Sequence, residues 1–134
     1  MMVARAAGVA LTEVSGAQAK QETGALIERL SQQGMTLTYP VLETSDGDLV
    51  TESPAICHFL SASGNASHLM GSNPFEQALV DQWVIFLRTK TLPLTKTLAA
   101  AVYGTLEVTA DEHAFITNEL KENLKTVNNQ LKSK

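Results

Sequence analysis

Side chains capable of chemistry are sparse in this sequence and mostly isolated. Cys57 and His58 are adjacent, the one place where a thiol and an imidazole meet. A reactive thiolate needs a base or cation beside it, and a metal needs several ligands converging on one point. Neighbours on a helix point in different directions, so the pair is a poor metal site. Cys57, flanked by Ile56 and close to Phe59, reads as a buried structural thiol. His68 and His113 stand alone and read as surface residues. Tyr39 reads as a strand aromatic on the core, and Tyr103, after Leu-Ala-Ala-Ala-Val, as packing. Trp83 reads as the anchor of a long helix, with a partner interface as the alternative, since tryptophan is enriched at binding hot spots. Glu52-Ser53 is the only pair whose ligand-binding reading stands level with a structural one. A capped helix start attracts a carboxylate and the adjacent acid attracts an amine, yet the same two residues make an ordinary helix start.

The elements that must position these residues follow from periodicity and punctuation. "MVARAAGV", residues 2–9, reads as the end of a helix closed by Gly8, and "ALTEV", 10–14, alternates like a short strand. Residues 18–33 carry Leu26, Ile27 and Leu30 on one side of a helix that Gly24 weakens and Gly34 ends. "TLTYPVLET" gives a strand, Asp46-Gly47 a hairpin turn and "LVTE" the antiparallel partner. Ser53 as cap and Pro54 as first helical residue open a helix that ends near Gly64. After the small polar stretch "SGNASHLMGS", Asn73-Pro74 with Glu76 opens a long helix carrying Trp83 and Phe86, which Pro93 should kink. A second capping box, Thr109 to Glu112, starts a final helix with a stripe of Ile116, Leu120, Leu124, Val127 and Leu131. The organisation is therefore an α/β half over 1–63, a linker over 64–73 and an all-α half over 74–134. The sequence shows no internal repeat.

Bulk properties exclude several classes. The chain has 134 residues, 44% hydrophobic and 18% charged, the balance of a soluble globular protein. A net charge of -4 argues against binding nucleic acid by bulk electrostatics. Arg88 and Lys90, and the lysines 121, 125, 132 and 134, read as solvated faces, the latter interleaved with Asp111, Glu112, Glu119 and Glu122. The single cysteine excludes an intrachain disulfide and fits a reducing, cytoplasmic compartment. No apolar run is long enough to span a bilayer, and no signal-peptide core is present. Asn65-Ala66-Ser67 is a sequon only formally.

Two ordered segments carry a family resemblance. "YPVLETSDGDLVTESPAICHFLS" resembles the second half of a glutathione-transferase N-terminal, thioredoxin-like domain. "LMGSNPFEQALVDQWVIFLRTKTLPL" resembles the linker and first helix of the helical domain that follows it. The second segment, with Gln82-Trp83 between Val80 and Val84, is most similar to the transferase-like domains of the translation machinery. Those occur in the gamma subunit of elongation factor 1, on aminoacyl-tRNA synthetases, and in multisynthetase-complex scaffolds. The resemblance implies an N-terminally truncated thioredoxin-like α/β part followed by an all-α part. It implies a cis bond before Pro40 and a glutathione cradle in which Val41 offers its backbone N–H and C=O to the cysteinyl part. Ser53 and the helix start would hold the γ-glutamyl carboxylate, and Glu52 would face its ammonium.

The resemblance also implies what this sequence lacks. The family's thiolate-stabilising Tyr, Ser or Cys lies at the end of the first strand or the start of the first helix, whereas no such residue precedes Ser15. Thr12 falls in the expected second strand. By pattern the sequence opens within the first helix, so residues 10–14 must pair with the hairpin, be displaced, or take a strand from a partner. The helical half is short as well, the reading of a trimmed or reduced protein. No catalytic residue and no metal site are expected, and glutathione is the one small ligand the resemblance allows. The expected role is a non-catalytic interaction module docking on other transferase-like domains, translation factors or aminoacyl-tRNA synthetases. Trp83, Phe86 and Arg88 are its candidate interface. The alternative is a glutathione transferase or glutathione-binding enzyme with a thiolate donor elsewhere, Tyr39 or Cys57.

Overall fold

Gly8, with φ +69, turns the backbone into the left-handed region and ends the first helix, α1 (Met2–Ala7). The structure is a computed structural model that describes residues 2–132; Lys134, one of the expected surface lysines, lies outside the described residues. After α1 come α2 (Gly16–Gln32), strands β1 (Val41–Glu43) and β2 (Leu49–Thr51), and α3 (Ser53–Ser63). A short 3-10 turn (Ser67–Met70) leads to α4 (Pro74–Phe86), a π-helical stretch (Leu87–Thr91), α5 (Leu92–Val102) and α6 (Ala110–Lys132). Two compact units divide the chain after Gln77.

In the first unit the hairpin forms where Asp46-Gly47 places it. Thr44 N–H donates to the Asp48 carbonyl at 2.9 Å, and the register pairs Val41 with Thr51, Leu42 with Val50 and Glu43 with Leu49. The strands are shorter than the sequence implies, since residues 36–40 are not in β1. Residues 10–14, expected as a strand, are not one. None of them makes a backbone–backbone hydrogen bond among the described residues, because β1 and β2 pair only with each other. An extended segment without a neighbouring strand has no ladder to join.

α1 and β2 both pack on α3, and Asn65 N–H ties α3's exit to α1 through the Ala7 carbonyl at 2.8 Å. The buried residues of this unit are Ala4, Ala7, Leu30, Thr51, Leu60, Ser61 and Ala66. Arg29 fastens α2 to the hairpin by a 3.0 Å ion pair with Glu43 and a hydrogen bond to the Gly47 carbonyl.

The second unit is wholly helical. Ahead of Pro93, which was expected to kink or interrupt the long helix, the α-helical pattern gives way to a π-helical stretch between α4 and α5. The missing N–H of Pro93 is absorbed by this stretch, and Asn123 of α6 donates to the Lys90 carbonyl within it at 3.1 Å. Trp83 and Phe86 meet edge to face, with ring centroids 5.6 Å apart. None of the described residues in this unit is buried. Phe115 is 64% exposed, Ile85 58% and Tyr103 81%, so Tyr103 is not the packing residue the sequence suggested.

The start of α6 is a full capping box. Thr109 Oγ1 accepts from Glu112 N–H at 3.2 Å, and Glu112 Oε2 accepts from Thr109 N–H and Oγ1, both at 2.8 Å. The Thr109 backbone hydrogen bond, helped by the hydroxyl, lowers the Glu112 carboxyl below its ordinary 4.5. A depressed folded-state pKa means that this contribution is complete above the unfolded value and is lost as pH falls through the folded one. The first turn of α6 is therefore expected to lose hydrogen-exchange protection as pH drops below about 4.5. Glu112→Gln should remove that acid dependence. Thr109→Ala should destabilise the helix by about 1 kcal/mol at neutral pH, read from chemical denaturation.

Candidate functional site

The hairpin register brings the expected cradle residues together. Val41 sits opposite Thr51, so Pro40-Val41 at the entrance of β1 lies beside Glu52-Ser53 at the exit of β2. The Tyr39–Pro40 bond is cis. Residues facing each other across an antiparallel pair alternate between exchanging hydrogen bonds and turning them outward. Thr44 bonds to Asp48, so Leu42 and Val50 exchange bonds, whereas Val41 and Glu43 direct N–H and C=O away from β2. The outer edge of β1 therefore presents a donor and an acceptor at Val41.

The helix start differs from the sequence reading. Ser53 is the first residue of α3, not its cap; Glu52 occupies the cap position, and no side chain caps the helix. The Glu52 carbonyl accepts from Ile56 N–H at 3.0 Å. Glu52 has φ +66 and ψ 117, the only non-glycine with positive φ among the described residues. That backbone costs on the order of 1–3 kcal/mol and persists only where its surroundings impose it. Glu52 and Ser53 are both exposed. The arrangement can receive an extended backbone along Val41 and an anion at the uncapped first turn of α3, with a carboxylate alongside for a cation.

Tyr39 is not on the core. It is 60% exposed, and its hydroxyl shares a 3.1 Å hydrogen bond with Thr23 Oγ1 of α2. The single tyrosine in β1's approach is thus fixed by α2, a contact no local pattern reveals. Cys57 is half-buried rather than buried. His58, His68 and His113 are exposed, and no group of three or more metal-ligating side chains occurs among the described residues. Trp83 and Phe86 of the expected interface pack on each other half-buried, while Arg88 is exposed on the π-helical stretch. Sequence reasoning passed over Phe75 and Phe115 as surface aromatics; they are 73% and 64% exposed. No helix among the described residues is long and apolar enough to cross a membrane.

Two solved structures share the fold. A glutathione S-transferase from Pichia kudriavzevii matches over 98% of this chain and 60% of its own, with TM-score 0.62 and 20% identity. The bacterial glutathione S-transferase BphK matches over 98% of this chain and 63% of its own, with TM-score 0.66 and 22% identity. The fold is glutathione-transferase-like. In sequence, the chain is 47% identical over 49 residues to a glutathione S-transferase-like protein of Aspergillus aculeatus, 35% of this chain and 23% of that one. It is 27% identical over 92 residues to elongation factor 1-gamma of Artemia salina, 69% of this chain and 20% of that one. The chain thus spans under a quarter of these two relatives. No protein-family model matches it.

Proposed function

We propose that the chain is a non-catalytic, glutathione-transferase-like interaction module of a translation elongation factor or aminoacyl-tRNA synthetase assembly. The observation that carries this reading is the helical unit, in which no described residue is buried although Ile85, Leu87, Leu92, Phe115, Leu124 and Leu131 are apolar. Exposed apolar surface on that scale marks a surface to be covered by a partner. The likeness to elongation factor 1-gamma over 69% of the chain favours a translation partner. On this reading the Trp83–Phe86 pair with Arg88 is a docking centre, and the compartment is the cytoplasm. Affinity capture with the tagged chain should recover transferase-like domains of elongation factors or synthetases. A monomer that recovers none of them contradicts the proposal.

The second reading, a glutathione-binding protein or glutathione transferase, is favoured by the adjacency of Pro40, Val41, Glu52 and Ser53 and by the 47% identity to a transferase-like protein. Glutathione resin should retain the chain through this cradle. Ser53→Ala should weaken retention about tenfold, the loss of a hydrogen bond to a charged group. Thiol conjugation that Ser53→Ala abolishes would show an enzyme and overturn the module reading. Retention without turnover leaves a ligand site on a non-catalytic domain.

A further inference from the structure

Thr23 uses its only hydroxyl hydrogen inside α2. Its Oγ1 donates to the Ala19 carbonyl at 2.8 Å, the bond to the preceding turn that helical threonines often make. A hydroxyl has one hydrogen to give and lone pairs with which to receive. In the 3.1 Å contact between Thr23 Oγ1 and the Tyr39 hydroxyl, Tyr39 is therefore the donor. The phenol proton of Tyr39 goes to α2. The same helix also holds the other flank of Val41, since Arg29 pairs with Glu43 at 3.0 Å and bonds to the Gly47 carbonyl. Tyr39 precedes Val41 by two residues, and Glu43 follows it by two. Between Tyr39 and Val41 stands only Pro40, whose ring fixes φ and which has no N–H of its own to anchor. Tyr39 is 60% exposed and Pro40 is exposed as well, so the hydroxyl pair, more than packing, sets where the chain enters β1.

We propose that Thr23 is a positioning residue of the cradle, fixing Pro40-Val41 through Tyr39 so that the Val41 N–H and C=O are in place before a ligand arrives. Preorganisation of this kind raises affinity by removing the cost of ordering the site on binding. The same bond assigns Tyr39. A phenol steadies a thiolate by donating its proton to the sulfur, and one proton cannot serve both the sulfur and Thr23. Tyr39 is thus a pin between α2 and the ligand edge, and not a thiolate donor. The effect of the pin on ligand affinity rests on the glutathione-binding reading; the placing of Val41 by Thr23 does not.

The test compares the full chain with Thr23→Val, Thr23→Ser, Tyr39→Phe and the double variant Thr23→Val with Tyr39→Phe. Two quantities are read: the NMR order parameter of the Val41 amide in the free chain, and the affinity for reduced glutathione. Thr23→Val keeps the branched shape without the hydroxyl, and Tyr39→Phe keeps the ring. Each should lower the order at Val41 and weaken glutathione binding about three- to tenfold, the effect of one hydrogen bond, with helical circular dichroism unchanged. The double variant should lose no more than either single one, because both remove the same bond. Thr23→Ser keeps the hydroxyl and should match the parent in both readouts. Unchanged order at Val41 in Thr23→Val, losses that add in the double variant, or a Thr23→Ser loss equal to that of Thr23→Val would each overturn the proposal. So would thiol conjugation that Tyr39→Phe abolishes and Thr23→Val spares, since the phenol would then serve the sulfur. A parent chain that does not bind glutathione sinks the glutathione reading alone, and the order at Val41 then decides whether Thr23 places it.

Discussion

Gly64→Ala is expected to destabilise the first unit by about 2–4 kcal/mol, although alanine has no difficulty with the backbone there. Gly64 has φ −118 and ψ −158, an extended conformation open to any residue, so conformational freedom is not why glycine occupies it. Space is the reason. A Cβ at this position would fall on the Ala7 carbonyl oxygen and stand 2.8 Å from the Ala7 Cβ and 2.9 Å from Val9 Cγ2. Those atoms belong to the end of α1 and the turn after it, both anchored. The Ala7 carbonyl already accepts from Asn65 N–H at 2.8 Å, and Val9 N–H is bound to Ala4. An added methyl must push α1 off α3, which costs about 1–3 kcal/mol of overpacking. The Asn65 hydrogen bond goes with it, adding about 1 kcal/mol. The measurement is a urea midpoint, expected to fall by about 1–2 M at an ordinary slope. An unchanged midpoint would mean that α1 does not seat against α3 as described.

Gly64 illustrates what the sequence could and could not disclose. Its place at the end of α3 is legible, since a helix run followed by small polar residues stops at such a glycine. The crowding by Ala7 and Val9 is not, because those residues lie more than fifty positions earlier and the contact is tertiary. The hairpin was legible for a local reason: Asp46-Gly47 sets both turn and register, and register alone brings Val41 beside Thr51. The capping boxes at Asn73 and Thr109 were legible for the same reason, although Glu76 reaches the N–H of Ser72 rather than of Asn73. Residues 10–14 misled because alternation reports that a segment can be a strand, whereas being one requires a neighbour. At the hairpin's exit, sequence singled out Glu52-Ser53 but assigned the cap to Ser53 rather than Glu52. The positive φ at Glu52 moves the helix start one residue earlier, and nothing in a glutamate signals that backbone. Tyr39 was misplaced because its partner, Thr23, sits on a different element.

Leu30→Ala is the second large effect, expected at about 2–5 kcal/mol. Leu30 is 0% exposed and, ahead of Ser61, is the largest fully enclosed side chain among the described residues. A domain's total stability is only about 5–15 kcal/mol, so a cavity there removes a substantial share. Truncation spares the backbone: the Leu30 carbonyl accepts from Gln33 N–H at 3.0 Å and Met35 N–H at 2.9 Å in either variant. The loss therefore reports packing rather than the helix terminus. Leu30→Met, which nearly conserves volume, should cost under about 1.5 kcal/mol and serves as the control. The effect should extend to the hairpin, because Arg29, the preceding residue, holds Glu43 of β1 and the Gly47 carbonyl. Loosening the last turn of α2 frees that tether, so Leu30→Ala should lower protection at the Glu43 amide even where the protein remains folded. An alanine variant as stable as the parent would show that α2 is not seated on the core through Leu30. A destabilised variant with unchanged hairpin protection would show that Arg29 does not couple the two.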